Sequence, residues 1–115
     1  MFFVFLMKGI IYVDLLEKVK ANLIVQHSQD DELLKTYITA ATSYATSYQK
    51  KPENYYNENQ MNSTTEQAIT MLASYFYESR DGSTAGLFAD SVQAGRQVWD
   101  TVNTLLRFDR KWDFG

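Results

Sequence analysis

One stretch of the sequence constrains the fold more than any other: residues 63–80, STTEQAITMLASYFYESR, followed by Asp81-Gly82. It opens with Ser63 and Glu66 in the S-x-x-E spacing, in which each side chain satisfies a backbone N–H that the first helical turn leaves unpaired. Apolar residues then recur at steps of three and four, which places them on one face of a helix: Ala68, Ile69, Leu72, Ala73 and Phe76. The stretch therefore predicts an amphipathic helix that begins at Ser63 and ends at Asp81-Gly82.

Two earlier segments show the same spacing. The first, from about Asp14 to Val25, has Asp14 as its predicted N-cap and Glu17 three residues later. The second begins at Asp30-Asp31-Glu32, where three acids complement the positive end of the helix dipole, and Pro52 is expected to end it. The predicted inward faces are Leu16, Val19 and Leu23 in the first helix, and Leu34, Tyr37, Ile38, Ala41, Tyr44, Ala45 and Tyr48 in the second.

The remaining segments complete an all-α fold. Residues 52–62 carry four asparagines and no branched aliphatic residue, which predicts a loop. Residues 81–95 contain three glycines and predict a long loop or a short hairpin. A fourth helix, from about Arg96 to Phe108, faces inward with Val98, Val102, Leu105 and Leu106, with Trp99 beside them. We predict one small four-helix domain over residues 1–115, with 1–13 as an N-terminal extension and 109–115 as a C-terminal tail.

Composition and motifs argue against several classes of protein. The chain has 115 residues, no cysteine and one histidine, so thiolate metal sites, disulfides and clusters of histidine ligands are excluded. No phosphate-binding glycine loop, zinc-protease motif or calcium loop occurs. Residues 1–7 are apolar, but a membrane-spanning helix needs about twenty such residues. The sequence predicts no catalytic site, no cofactor, no metal and no membrane association.

Charge bears on nucleic acid binding. The net charge is −3, which argues against a protein whose affinity comes from neutralising phosphates. Arg107, Arg110, Lys111 and Trp112 could contact nucleic acid, but acidic residues lie among them, and a solvated C-terminus is the favoured interpretation.

The order and spacing of these segments resemble the gp6-like head-tail connector family of tailed phages. The matching parts are Leu15–Leu23, Asp30–Leu34, Tyr37–Ala41 with Tyr44, Leu72–Arg80 and Val102–Trp112. Each pattern is degenerate, and the specificity lies in their order and total length. The chain departs from the family at Ala94-Gly95-Arg96, where members often have a proline before the last helix.

The resemblance implies a non-enzymatic structural protein of a phage or prophage virion, present in the host cytoplasm during assembly. Such subunits form a homo-oligomeric ring, a dodecamer in the virion, under the portal protein. The ring extends the DNA channel, lets DNA pass without sequence-specific binding, and docks the tail or a head-completion protein. The alternative is a small helical DNA-binding adaptor, either a packaging-enzyme subunit or a helix-turn-helix regulator, which would need an exposed basic recognition helix.

Candidate contact residues follow from the same reasoning. Three rings in a row at residues 75–77 cannot all face one core, and Tyr55, Tyr56, Tyr75 and Tyr77 are expected to be available for an interface. The candidates for the subunit or portal interface are Tyr75, Tyr77, Arg80, Leu87, Phe88, Arg96 and Trp112, with residues 81–95 as the contacting segment. The candidate lumen-facing acids are Glu53 and Glu58, which belong to a stretch of four glutamates without lysine or arginine. Residues 1–6 are either an upstream extension before Met7 or part of a short apolar arm that packs on a neighbouring subunit.

Overall fold

The computed structural model describes residues 15–80 and 92–110, and for residues 92–94 it describes only the helical backbone. Every regular element in these residues is a helix, so the all-α prediction is confirmed. The helices are α1 (residues 15–23), α2 (Asp31–Tyr48), α3 (Tyr55–Glu58), α4 (Ser63–Glu78) and α5 (Val92–Arg107).

The end of α1 differs from the prediction because the chain turns at Ile24, whose φ is 58°. The N–H of Val25 donates to the carbonyl oxygen of Lys20 at 2.9 Å, and the N–H of Ile24 donates to that of Ala21 at 3.2 Å. This is the hydrogen-bond pattern of a Schellman motif, in which one left-handed residue closes the helix. The predicted N-cap, Asp14, lies outside the described residues.

The acidic start of α2 was predicted, and the structure places Asp30 at the N-cap. The prediction that Pro52 ends this helix is wrong, because α2 ends at Tyr48. Lys50 has a φ of 59°, and the N–H of Lys51 donates to the carbonyl oxygen of Thr46 at 2.9 Å, so a second Schellman-type turn closes the helix before the proline is reached.

The prediction that Ser63 caps α4 is also wrong. The N-cap is Asn62, whose side-chain oxygen accepts a hydrogen bond from the N–H of Thr65 at 2.8 Å. Ser63 is already the first helical residue. The carboxylate of Glu66 binds the ammonium of Lys18 at 2.5 Å instead of turning back to cap the helix. The helix starts where predicted, but a different residue caps it.

Three further boundaries were mispredicted. Helix α4 ends at Glu78, with Ser79 as its C-cap, and not at Asp81-Gly82. Residues 52–62 contain the short helix α3, which begins after Asn54, a residue with a φ of 64°. The last helix begins at Val92 rather than at Arg96, so residues 92–95 are helical. The long loop or short hairpin was predicted for residues 81–95, of which 92–95 are helical and 81–91 lie outside the described residues.

Helix α4 packs against both α2 and α5, and the core lies along these contacts. The predicted aliphatic positions of α2 and α4 are buried, as are Val102 and Leu106 of α5, whereas Val98 and Leu105 are half-buried. The predicted tyrosines of α2 and Trp99 are half-buried beside them. Leu15, which the sequence analysis did not place inside, is also buried. The fully enclosed side chains include Leu15, Val19, Leu34, Ile38, Ile69, Leu72, Val102 and Leu106.

The helix directions define two ends of the bundle. At the first, which we call the Asp30 end, Tyr77 near the end of α4 donates a hydrogen bond to Asp30 at the start of α2. At the opposite end, which we call the Gln49 end, Gln49 meets Thr65 at the start of α4 and the carbonyl oxygen of Leu106 at the end of α5. Helix α4 is therefore antiparallel to both α2 and α5.

Candidate functional site

A buried polar cluster organises the Gln49 end. The side chain of Gln49 is fully buried, and each of its polar groups has a partner. Its amide nitrogen donates to the hydroxyl of Thr65 at 2.9 Å and to the carbonyl oxygen of Leu106 at 3.1 Å. Its oxygen accepts from the hydroxyl of Tyr56 at 2.5 Å. One side chain therefore connects α2, α3, α4 and α5, at a position where an unpaired polar group would be costly.

An ion pair lies at the edge of this cluster. The ammonium of Lys51 binds the carboxylate of Asp109 at 2.6 Å and lies 4.4 Å from the ring centre of Tyr55. Burial lowers the pKa of Lys51, but the hydrogen bond to Asp109 and the attraction of the surrounding oxygens outweigh it, so the pKa is raised. Burial also raises the pKa of the Tyr56 hydroxyl. Both shifts favour the protonated forms in the folded protein.

This cluster was not predicted from the sequence. The prediction that Tyr56 is available for an interface is wrong. The ring of Tyr56 is 3% exposed, and its hydroxyl is occupied by Gln49. A sequence signal did exist: Gln49 follows Ala45 by four residues on the same face as Ile38 and Ala41, so it extends the buried stripe of α2 with a polar residue.

Two predicted interface residues meet at the Asp30 end. The guanidinium of Arg80 stacks on the ring of Tyr77 at 3.8 Å and donates to the backbone oxygen of Tyr77 at 2.6 Å. Tyr77 itself is 9% exposed and donates to Asp30, which leaves little of its ring for another molecule. Arg80 remains exposed, in a conformation fixed by its own subunit.

Tyr75 takes part in packing within the subunit. Its hydroxyl approaches α5 so closely at Gly95 that a Cβ on Gly95 would lie 2.7 Å from the oxygen. Gly95 therefore faces a side chain from α4 and is buried, while Arg96 next to it is exposed. The other predicted interface residues, Leu87, Phe88 and Trp112, lie outside the described residues.

The four glutamates between residues 53 and 78 do not form a single acidic face. Glu53 precedes α3 at the Gln49 end, Glu58 is the last residue of that helix, and both are exposed. Glu66 pairs with Lys18, and Glu78 lies at the Asp30 end, where α4 finishes. Of the four glutamates, only Glu53 and Glu58 belong to the segment around α3.

The described residues hold no group of three or more His, Asp or Glu side chains that could bind a metal ion. None of the helices described is long and apolar enough to cross a bilayer. The polar groups of the two ends form hydrogen bonds that join helices, which is what a structural domain requires.

The fold and these contacts define a small all-α domain. A family model, that of the phage gp6-like head-tail connector protein, matches residues 13–110, which include every helix described above. The chain therefore belongs to the gp6-like head-tail connector family, and this membership supports a structural connector role in a phage virion. No curated protein and no solved structure matches the chain.

Proposed function

We propose that copies of this chain form a ring, a dodecamer in the virion, under the portal protein. In this proposal the ring extends the DNA channel and gives the tail or a head-completion protein its docking surface. The observation that carries the proposal is the family match over residues 13–110. The protein acts as a structural part, with no catalytic step.

The charge of the chain supports passage of DNA. A channel that held phosphates tightly would slow the movement of the duplex, and a subunit of net charge −3 avoids this. We propose that Glu53 and Glu58 face the channel, because both are exposed and belong to the segment of residues 53–58 at the Gln49 end.

The channel assignment is tested by reversing those two charges. In particles carrying Glu53→Lys with Glu58→Lys, we expect slower DNA release and a release rate that depends more strongly on salt. The matched control is Glu17→Lys with Asp100→Lys, which makes the same charge change at exposed positions of α1 and α5. Equal effects of the two double variants would remove Glu53 and Glu58 from the channel.

We propose that residues 81–95 supply the contact with the portal or the neighbouring subunit, with Leu87 and Phe88 as apolar contacts. Arg80 and Arg96 border this segment, and Trp112, Tyr75 and Tyr77 complete the predicted set. Arg80 suits the role, because its guanidinium is already held on Tyr77 and loses little freedom when it binds a carboxylate.

The test uses portal-containing particles assembled without this protein. The wild-type chain should join them, whereas a variant with residues 83–90 replaced by a glycine-serine linker of equal length should not. The replacement leaves α5 intact, because that helix begins at Val92. Circular dichroism and urea unfolding of the free variant should match those of the wild type. If the linker variant joins the particles normally, the segment is not the assembly element, and if the wild type fails to join, the ring proposal is wrong.

DNA binding separates this proposal from the adaptor alternative. We expect no sequence-specific duplex binding by the free chain, because its net charge is −3. For comparison, proteins that bind DNA specifically have affinities of about 10⁻⁸ to 10⁻¹¹ M at physiological salt. Fluorescence anisotropy with a set of duplexes measures this. A sequence-dependent dissociation constant below about 1 μM would favour the adaptor instead.

A further inference from the structure

A row of aromatic rings runs across the face of the bundle where α2 and α5 meet. Consecutive ring centres lie between 5.1 and 6.2 Å apart, and all five rings are half-buried. We call them the aromatic row, whose members are, in order, Tyr37, Phe76, Trp99, Tyr44 and Tyr48. Single apolar side chains at a surface are common, but adjoining rings form one continuous apolar patch, which marks a contact site.

Contacts within the subunit fix the orientation of these rings. The rings of Tyr44 and Trp99 meet edge to face at an interplanar angle of 71°, and the Tyr44 hydroxyl donates to the side-chain oxygen of Asn103 at 2.7 Å. Helix α4 supplies Phe76, whose ring lies next to those of Tyr37 and Trp99. Because the rings are already ordered, they lose little side-chain freedom when another segment packs on them.

The chain leaves α5 at the Tyr48 end of the aromatic row. Lys51 binds the carboxylate of Asp109 at 2.6 Å, and the guanidinium of Arg110 lies 5.2 Å from the ring centre of Tyr48. These two contacts fix the place from which the next residues start. Residues 111–114, with the sequence KWDF, lie outside the described residues. They therefore begin within one side-chain length of the last ring of the row.

The spacing of the two aromatic residues in this segment matches the spacing of the row. Extended backbone advances about 3.4 Å per residue, so Trp112 reaches about 7 Å and Phe114 about 14 Å from the last described residue. Since α2 rises about 1.5 Å per residue, Tyr44 lies about 6 Å and Tyr37 about 16 Å from Tyr48. Side chains two residues apart in an extended segment point to the same side, so both aromatic residues face the row when the backbone follows it.

We propose that residues 111–114 dock on the aromatic row of their own subunit in an extended conformation. Trp112 packs beside Tyr44, and Phe114 packs farther along the row, towards Tyr37. The two charged residues that alternate with these rings point to solvent. This docking does not depend on the ring proposed above, and it holds Trp112, a candidate interface residue, at a fixed position on the surface of the subunit.

Tryptophan fluorescence of the free chain tests the docking, because the sequence has only two tryptophans. Trp99→Phe keeps an aromatic ring in the row and leaves Trp112 as the only tryptophan. We expect its acrylamide quenching constant to be at least about threefold smaller in the folded chain than in urea, because a ring packed on other rings is shielded from the quencher. The constant should be the same at low and at high protein concentration, since the contact lies within one chain.

Two further variants locate the contact. In the Trp99→Phe background, Tyr44→Ala removes a ring of the row and should raise the quenching of Trp112 towards its value in urea. The matched control, Tyr75→Ala, removes a half-buried tyrosine of α4 that is not in the row and should leave Trp112 shielded. Nuclear Overhauser contacts between the Trp112 indole and the rings of Tyr44 or Tyr48 in the wild type test the same docking without any substitution, so they decide the matter if a variant does not fold.

Three results would overturn the proposal. The first is quenching of Trp112 as strong in the folded chain as in urea, with no Overhauser contact to the row. The second is shielding that appears only at high protein concentration, because a second copy is then the occupant. The third is shielding that survives Tyr44→Ala in a folded chain. All these measurements use the free chain, so their outcome leaves the test of the proposed function in portal-containing particles unaffected.

Discussion

The contact between Tyr75 and Gly95 predicts that the effect of Gly95→Ala on stability depends on whether the hydroxyl of Tyr75 is present. A Cβ on Gly95 would lie 2.7 Å from the hydroxyl oxygen of Tyr75, which is closer than real Cβ contacts come. The next ring atom would lie 3.5 Å away, an ordinary van der Waals distance. Removing the hydroxyl therefore removes the clash while the ring stays in place.

The magnitude follows from two opposing effects. Replacing glycine by alanine within a helix stabilises by up to about 1 kcal/mol, because glycine loses more backbone freedom on folding. Forcing the half-buried Tyr75 ring aside costs about 1–3 kcal/mol, the range for overpacking. We expect Gly95→Ala to be neutral or destabilising in the wild type and stabilising by up to about 1 kcal/mol when Tyr75→Phe is also present.

Urea unfolding of the four proteins, followed by circular dichroism, gives the free energy of unfolding and closes the cycle. Ala40→Gly in both backgrounds is the control, because Ala40 is exposed on α2 and should report helix propensity alone. Independent sites add within about 0.3–0.5 kcal/mol. If Gly95→Ala has the same effect in both backgrounds within that margin, the close approach of Tyr75 does not explain why a glycine stands here.

Three more predictions follow from the core and the Gln49 end. Gln49→Leu should cost about 2–4 kcal/mol in a urea melt, because it leaves buried partners unpaired, whereas Gln67→Leu at an exposed position of α4 should change little. Ile38→Ala should cost about 2–5 kcal/mol, and a loss near half a kcal/mol would contradict its place in the core. The raised pKa values of Lys51 and Tyr56 mean that the folded state holds these protons more tightly than the unfolded state does. The stability that results is present below pH 10 and is lost as the pH rises further. Urea melts at increasing pH should therefore show a smaller loss of stability for Tyr56→Phe than for the wild type.

The long helices were predictable because their buried faces repeat. In α2 and α4 the aliphatic residues recur at helical steps over several turns, and the structure buries them. When apolar residues recur over a whole helix, their spacing is good evidence for which face of the helix is buried. A single end residue does not, which is why Asn62 rather than Ser63 caps α4: the two are adjacent, and both are good capping residues.

The errors fall where long-range contacts decide. In the sequence Tyr56 is typical of a surface tyrosine in a polar loop, but α3 turns it toward Gln49. Gln49 also binds Thr65, which lies sixteen residues further along the chain, and Leu106, which is far away in sequence. Nothing local predicts that three distant segments meet at one amide. The close approach of Tyr75 in α4 to Gly95 in α5 is likewise a contact between residues far apart in sequence.

The positions of these polar contacts bear on how such a subunit could serve in an assembly. The Gln49 cluster holds α3, α4 and α5 on the end of α2, and the Tyr77–Asp30 bond holds α4 on its start. Helix ends are where helices fray first. Both ends of the bundle are therefore held by contacts within the subunit. Contacts made through rigid surfaces lose less entropy when subunits join, so the buried polar groups that hold the helices together also suit the chain to the ring proposed above.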